Sequence, residues 1–171
     1  MNIKYSCAFT GHRPKRFSFG YDENTAAFIQ LQNVLSETIE QFIRTGITKF
    51  YTGMALGVDT WAAMAVLEKR KVYPHVQLVA VLPCETQADR WSTAQRERYF
   101  DFILPECDDV ITLQTGYTPS CMQERNKYLV DHSDYLLAVY DGGDSFSTAY
   151  TVQYAKAKTR TIALIKPAMP E

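Results

Sequence analysis

No stretch of the chain restricts its fold more than Val76 to Leu82, which reads Val-Gln-Leu-Val-Ala-Val-Leu and is nearly all apolar. A strand of that kind belongs in a parallel sheet with both faces covered, because neither side of it suits water. Five more strand-like runs accompany it: Lys4 to Phe9, Ile47 to Thr52, Asp109 to Leu113, Asp134 to Tyr140 and Thr161 to Ile165. Helix-compatible runs fall between them. The clearest spans Asn24 to Thr45, where Phe28, Leu31, Leu35, Ile39 and Phe42 recur at three- and four-residue steps, with Asn24 as N-cap and Gly46 as stop. Further helices are expected from Val58 to Lys71, from Ser92 to about Leu104, from Ser120 to about His132 and from Ser147 or Thr148 to about Lys158. Ser92 to Gln95 and Ser120 to Gln123 both have the spacing of a capping box, and Trp91 stands where a hydrophobic staple belongs. This alternation, without repeats or low-complexity linkers, predicts an α/β chain with one doubly wound, mainly parallel sheet and helices on both faces. Residues 1–171 are expected to form a single domain, a length sufficient for a core of its own.

Ligands of such sheets sit outside the carboxyl ends of the strands, so the loops there carry the functional reading. Thr10-Gly11-His12-Arg13-Pro14 leaves the first strand, and Arg13 offers a planar fork for a phosphate or carboxylate. Gly53-Met54-Ala55-Leu56-Gly57-Val58-Asp59 leaves the second. There Gly53 allows a sharp turn, and Gly57 allows close approach to either a ligand or the neighbouring strand. The helix that follows has unpaired first amides and a positive dipole end, which together make an anion site. Asp59 is either its N-terminal cap or a ribose contact. Pro83-Cys84 ends the third strand. Asp141-Gly142-Gly143-Asp144-Ser145-Phe146-Ser147-Thr148 ends the fifth, adding the hydroxyls of Ser145, Ser147 and Thr148 to a second helix start. The two aspartates would repel a phosphate if both faced it, so one of them is better used on ribose hydroxyls.

Composition narrows the partners. Formal net charge is -1, with 22% charged residues, so a general electrostatic grip on nucleic acid is not expected. No apolar run is long enough to span a bilayer, and the amino terminus lacks a secretory apolar region. The cytoplasm is therefore the expected compartment. Cys7, Cys84, Cys107 and Cys121 form no Cys-x-x-Cys pair, and with three histidines they suggest no metal site. Neither glycine loop has the Gly-x-Gly-x-x-Gly or Gly-Lys-Ser/Thr pattern, so NAD binding and P-loop ATP hydrolysis are disfavoured, and no cofactor is expected.

Four segments carry a resemblance: Thr10 to Pro14, Thr52 to Asp59, Arg125-Asn126 with Leu129-Val130-Asp131, and Tyr140 to Gly143 running into Ser147 to Val152. Together they resemble the SMF/LOG (SLOG) superfamily of Rossmann-like domains, specifically its YpsA-like branch. The resemblance implies a nucleotide-type ligand held by Gly11, His12, Arg13, Gly53, Met54, Ala55, Gly57, Asp59, Pro83, Arg125, Asn126, Asp141, Gly142, Gly143, Ser145, Ser147 and Thr148. The superfamily also includes lonely-guy cytokinin-activating hydrolases, single-stranded-DNA-binding DNA-processing protein A, and sensors of ADP-ribose-like signals. Arg125 matches the arginine of the hydrolases, but their glutamate falls on Thr151, which has no carboxylate to offer. The expectation is thus a binding or sensor protein. A glycosidic-bond hydrolase is the alternative and single-stranded DNA binding a second one. A homodimer that buries an apolar helix face is expected if the chain assembles as those relatives do. Gly57→Asp is expected to abolish binding while leaving a folded protein.

Overall fold

The structure is a computed structural model and describes residues 5–143 and 146–167. Six strands form one sheet in the order β4-β3-β2-β1-β5-β6, every pair parallel. They are β1 (Ser6–Gly11), β2 (Lys49–Thr52), β3 (Gln77–Leu82), β4 (Asp109–Thr112), β5 (Tyr135–Val139) and β6 (Thr161–Ile165). The helices between them are α1 (Ala26–Arg44), α2 (Val58–Arg70), α3 (Thr93–Glu97), α4 (Cys121–Asp131) and α5 (Phe146–Ala157). From β1 the chain winds outward to β4, then crosses back to β5 on the other side of β1. Strand order therefore reverses beside β1, the place where such sheets open a crevice at their carboxyl ends.

Residue alternation along each strand builds two cores. Cys7, Phe9, Phe50, Leu78, Ala80, Leu82, Leu137 and Val139 pack with α1, α2 and the segment after α3. Ala8, Val79, Val81, Leu136 and Ala138 pack with Leu129 and Val130 of α4 and Val152 and Ala155 of α5. The period of two explains why β3 looks uniformly apolar: its odd and even residues are both inside. The apolar stripe of α1 lies inward with Phe28, Leu31, Leu35 and Ile39 buried as their spacing predicts, but at its end Ile43 is the buried residue and Phe42 only half-buried.

Helix caps follow the local signals only in part. The cap of α1 is Thr25, whose Oγ1 accepts from the Phe28 amide at 3.2 Å, and not Asn24. Asn24 instead donates its amide to Asp22 Oδ1 in a turn just upstream. The Ser92 capping box forms on both sides, at 3.2 and 2.9 Å. Ser120 does not: its backbone is already helical (φ -97°, ψ -8°), which turns its hydroxyl away from the following amides. After α3 the helix widens into a π-turn over Arg98–Ile103 that buries Tyr99 and Ile103. Trp91 meets Tyr99 edge-on at 5.2 Å, so its ring is a packing element. No helix among the described residues is long and apolar enough to cross a membrane.

Candidate functional site

The loops after β1, β2, β3 and β5 leave the sheet at one edge, since all strands run the same way. Gly53 and Gly142 therefore lie on the same rim, on strands that flank β1. Three glycines set how closely these loops pack. A Cβ on Gly11 would stand 2.4 Å from the Val58 side chain at the start of α2. One on Gly57 would stand 2.6 Å from the His12 carbonyl oxygen, and Gly57 has φ +95°, a backbone that side chains disfavour. One on Gly53 would fall 2.5 to 2.8 Å from the Arg125 guanidinium.

These distances settle what the glycines of the second loop do. Gly57 brings the loop against the backbone of the first loop. Gly53 is small to admit Arg125, and the left-handed turn is made by Met54, at φ 56°. Holding a non-glycine residue there costs of order 1 kcal/mol or more. The Thr52 hydroxyl supports the turn by accepting from the Met54 amide at 3.2 Å and donating to the Asp59 carbonyl at 2.8 Å.

Arg125, on α4, is only 3% exposed. Its Nη1 donates to the Gly53 carbonyl and, at 3.4 Å, to Gln87 Oε1, while Nε donates to Asn126 Oδ1 at 2.8 Å. Asn126 in turn donates to Ser147 Oγ at 3.1 Å, at the start of α5. A single chain of side chains thus ties the Gly53 turn to the second glycine loop. Arg125 braces the rim, and Asp59 is its buried counter-charge. Burial pushes the Asp59 carboxyl above its usual range while Arg125 and Arg13 pull it back. Burial likewise lowers the Arg125 pKa, and Asp59 opposes that. Asp59 Oδ2 accepts from the Ala55 amide at 3.3 Å.

The first and last loops are locked together by a second network. His12 is buried, and its Nε2 lies 3.0 Å from Asp141 Oδ1. Arg16 Nη2 reaches Asp141 Oδ2 at 3.2 Å, and the Gly143 amide donates to Oδ1 at 2.9 Å. The Gly143 amide bond is the leading reason the Asp141 carboxyl is held below its usual range, with His12 and Arg16 adding to it. Gly142 makes the turn at φ +85°. Asp141 is therefore occupied by protein donors. Ser147 is exposed and Thr148 buried, while Ser145 and Asp144 lie outside the described residues. The Thr151 hydroxyl donates back to the Ser147 carbonyl at 2.8 Å, a purely helical use.

Unpaired donors for an anion remain at the start of α2, where Leu56 is half-buried and Gly57 to Thr60 are buried. The amides from Leu56 to Thr60 make no well-formed hydrogen bond to an acceptor among the described residues. Arg13 is exposed beside them and close enough to Asp59 and Arg125 to act on both charges. Two arginines against one aspartate leave this corner net positive, at the positive end of a helix dipole. Pro83 is buried at the end of β3, and Cys84 next to it contacts the Thr86 hydroxyl at 3.6 Å. Sequence reasoning passed over Gln87, whose Nε2 donates to the Gly53 carbonyl at 3.2 Å and to the Met54 carbonyl at 3.5 Å. No local pattern marks it, because its role arises only when β2 and the β3 loop meet. Arg16 was passed over for the same reason.

Among solved structures, DNA processing protein A of Streptococcus pneumoniae shares the fold, with a TM-score of 0.67 at 16% identity. The match covers 96% of this chain and 51% of that one, so the chain spans about half the length of that protein. The Helicobacter pylori protein of the same name, described by its single-stranded DNA binding mode, matches at a TM-score of 0.65 and 15% identity, over 98% of this chain and 68% of that one. This corrects the expectation that nucleic acid is not a partner of such a chain. A fold with a DNA-binding representative is not screened out by net charge, which averages away local clusters such as Arg13, Lys15 and Arg16. Closer in sequence are UPF0398 proteins. One from Halalkalibacterium halodurans is 30% identical over 164 residues, covering 92% of this chain and 86% of the relative. One from Bacillus cereus is 32% identical over 154 residues, covering 88% and 82%. The family model described as the YspA SLOG family matches residues 7–168. The chain belongs to this YpsA-type SLOG family.

Proposed function

We propose that the protein binds a phosphorylated nucleotide at the carboxyl rim of the sheet, with a phosphate resting on the amides that open α2. The observation that carries the reading is the run of unpaired amides from Leu56 to Thr60 beside the exposed Arg13. Amides fixed by a helix bind anions without having to reorganise, and a guanidinium at their side adds charge-assisted bonds. Arg125, Gln87 and Asn126 hold the loops in register, and the His12–Asp141–Arg16 network fixes the far side of the rim. Gly57→Asp is a poor probe of this site, because its Cβ would collide with the His12 carbonyl and disturb the fold itself. Arg13→Ala is the better one, since Arg13 makes no ion pair within the described residues. Calorimetry with nucleoside monophosphates and ADP-ribose should give saturable binding that Arg13→Ala weakens at least fivefold. Binding that is unchanged in the variant removes the site.

The fold shared with the single-stranded DNA-binding protein of H. pylori favours a second reading, in which the same amides hold a phosphate of a single strand. Salt separates the two. A strand that contacts several phosphates gives a steep fall of affinity with ionic strength, and a lone nucleotide a shallow one.

A further inference from the structure

Next to the start of α2 lies a cavity of about 330 Å³ between the 14–24 loop, α2 and α3. Gly57, Thr60, Trp61, Tyr21, Glu23 and Arg98 are among the residues that line it. The size falls in the range of small-molecule sites, roughly 300–1,000 Å³. Two carboxylates line it, Asp22 and Glu23, and Glu23 is held rigidly. Arg98 grips Glu23 with two bonds, Nη1 to Oε2 at 2.7 Å and Nη2 to Oε1 at 2.8 Å, and the buried Trp61 indole donates to Oε2 at 2.9 Å. Burial raises the Glu23 carboxyl, but these donors outweigh it and hold the group below its usual range. A carboxylate has about four acceptor positions, and the protein fills three. The fourth, on Oε1, takes no protein donor among the described residues. Tyr21, half exposed, stands at the same cavity and can cover a flat ring.

We infer that this cavity is the nucleoside subsite of the protein, in which Glu23 accepts a hydrogen bond from the ribose 2′-hydroxyl and Tyr21 covers the base. The inference rests on the reading above, since the phosphate of the same ligand would lie on the adjoining α2 amides. Asp141, an acidic residue suggested by sequence for the ribose, is already held by His12, Arg16 and the Gly143 amide. Glu23 is oriented by its neighbours and still keeps an acceptor free. A fixed anionic acceptor at the 2′ position distinguishes ribose from 2′-deoxyribose, because the deoxy sugar keeps its 3′-hydroxyl but has no 2′-hydroxyl to donate.

The test is calorimetry of the wild-type chain with AMP, GMP, CMP and UMP, their 2′-deoxy counterparts, and inorganic pyrophosphate. At least one ribonucleotide should bind about tenfold more tightly than its deoxy form, the value of one charge-assisted hydrogen bond. Glu23→Ala should reduce that ratio to below threefold and leave pyrophosphate binding unchanged. Ala94→Trp, at an exposed position that lines the cavity, should weaken every nucleotide at least tenfold without affecting pyrophosphate. Equal binding of ribo- and deoxyribonucleotides, or full nucleotide affinity in Ala94→Trp, overturns the subsite alone. If neither nucleotides nor pyrophosphate bind the wild type, the phosphate reading falls and the subsite falls with it.

Discussion

Gly53→Ala should be far more damaging than an ordinary surface glycine replacement, and the reason is a side chain 72 residues away. Gly53 does not have a positive φ, so alanine brings no backbone strain there. Its methyl would instead stand 2.5 to 2.8 Å from the guanidinium of Arg125, which is buried and bonded to the Gly53 carbonyl, Asn126 and Gln87. To relieve the clash the guanidinium must move by about an ångström, losing the Gly53 bond and bending the Asn126 bond. Hydrogen bonds to a charged donor contribute about 1.5–3 kcal/mol each, so the expected loss is about 3–5 kcal/mol. Urea unfolding of a double-mutant cycle isolates the effect. In an Arg125→Met background, where a flexible side chain can yield, Gly53→Ala should cost less than about 1 kcal/mol, which implies a coupling of about 2 kcal/mol or more. A cost below about 1 kcal/mol in the wild type, or equal costs in both backgrounds, would refute the claim that Gly53 is small for the sake of Arg125.

Other consequences are as direct. Leu35→Ala, at a fully buried position of the α1 stripe, should lower unfolding stability by about 2–5 kcal/mol without changing the m-value. Glu40 is held near pKa 2, first by the Lys69 ammonium at 2.7 Å and then by the Tyr73 hydroxyl at 2.8 Å. A depressed carboxyl stabilises above its unfolded pKa of about 4.3 and loses that contribution as pH falls through its folded value. The acid limb of stability between these two values should therefore flatten in Glu40→Gln, and an unchanged limb would show that the cluster contributes nothing. Asp141 is depressed in the same sense, by the Gly143 amide first, so Asp141→Asn should loosen the loops after β1 and β5 together. Faster hydrogen exchange in both loops is the expected signature, and protection retained in the β1 loop would count against the coupling.

Much of this architecture is legible in the chain because its signals are local. The apolar run of β3, the stripe of α1 and the Ser92 capping box each require only neighbours in sequence. What was misread depends on contacts made elsewhere. Asn24 and Thr25 are both competent caps, and the choice between them is made by the Asp22 turn, which captures the Asn24 amide. Gly53 looked like a turn glycine, yet Met54 makes the turn and Gly53 receives an arginine from α4. Asp141 looked free for ribose until the fold brought His12 and Arg16 to it. Gln87 carries no signal at all, since an isolated glutamine in a loop becomes a brace only when the carbonyls of Gly53 and Met54 arrive. The glycine positions were readable, but their physical reasons were tertiary.

The central claim concerns five backbone amides, and they can be watched individually. In a nitrogen-15 NMR titration with the tightest-binding nucleotide or oligonucleotide, the amides of Leu56 to Thr60 should show the largest shifts and saturate with the calorimetric affinity. Shifts that saturate elsewhere on the surface while these five stay still would contradict the account.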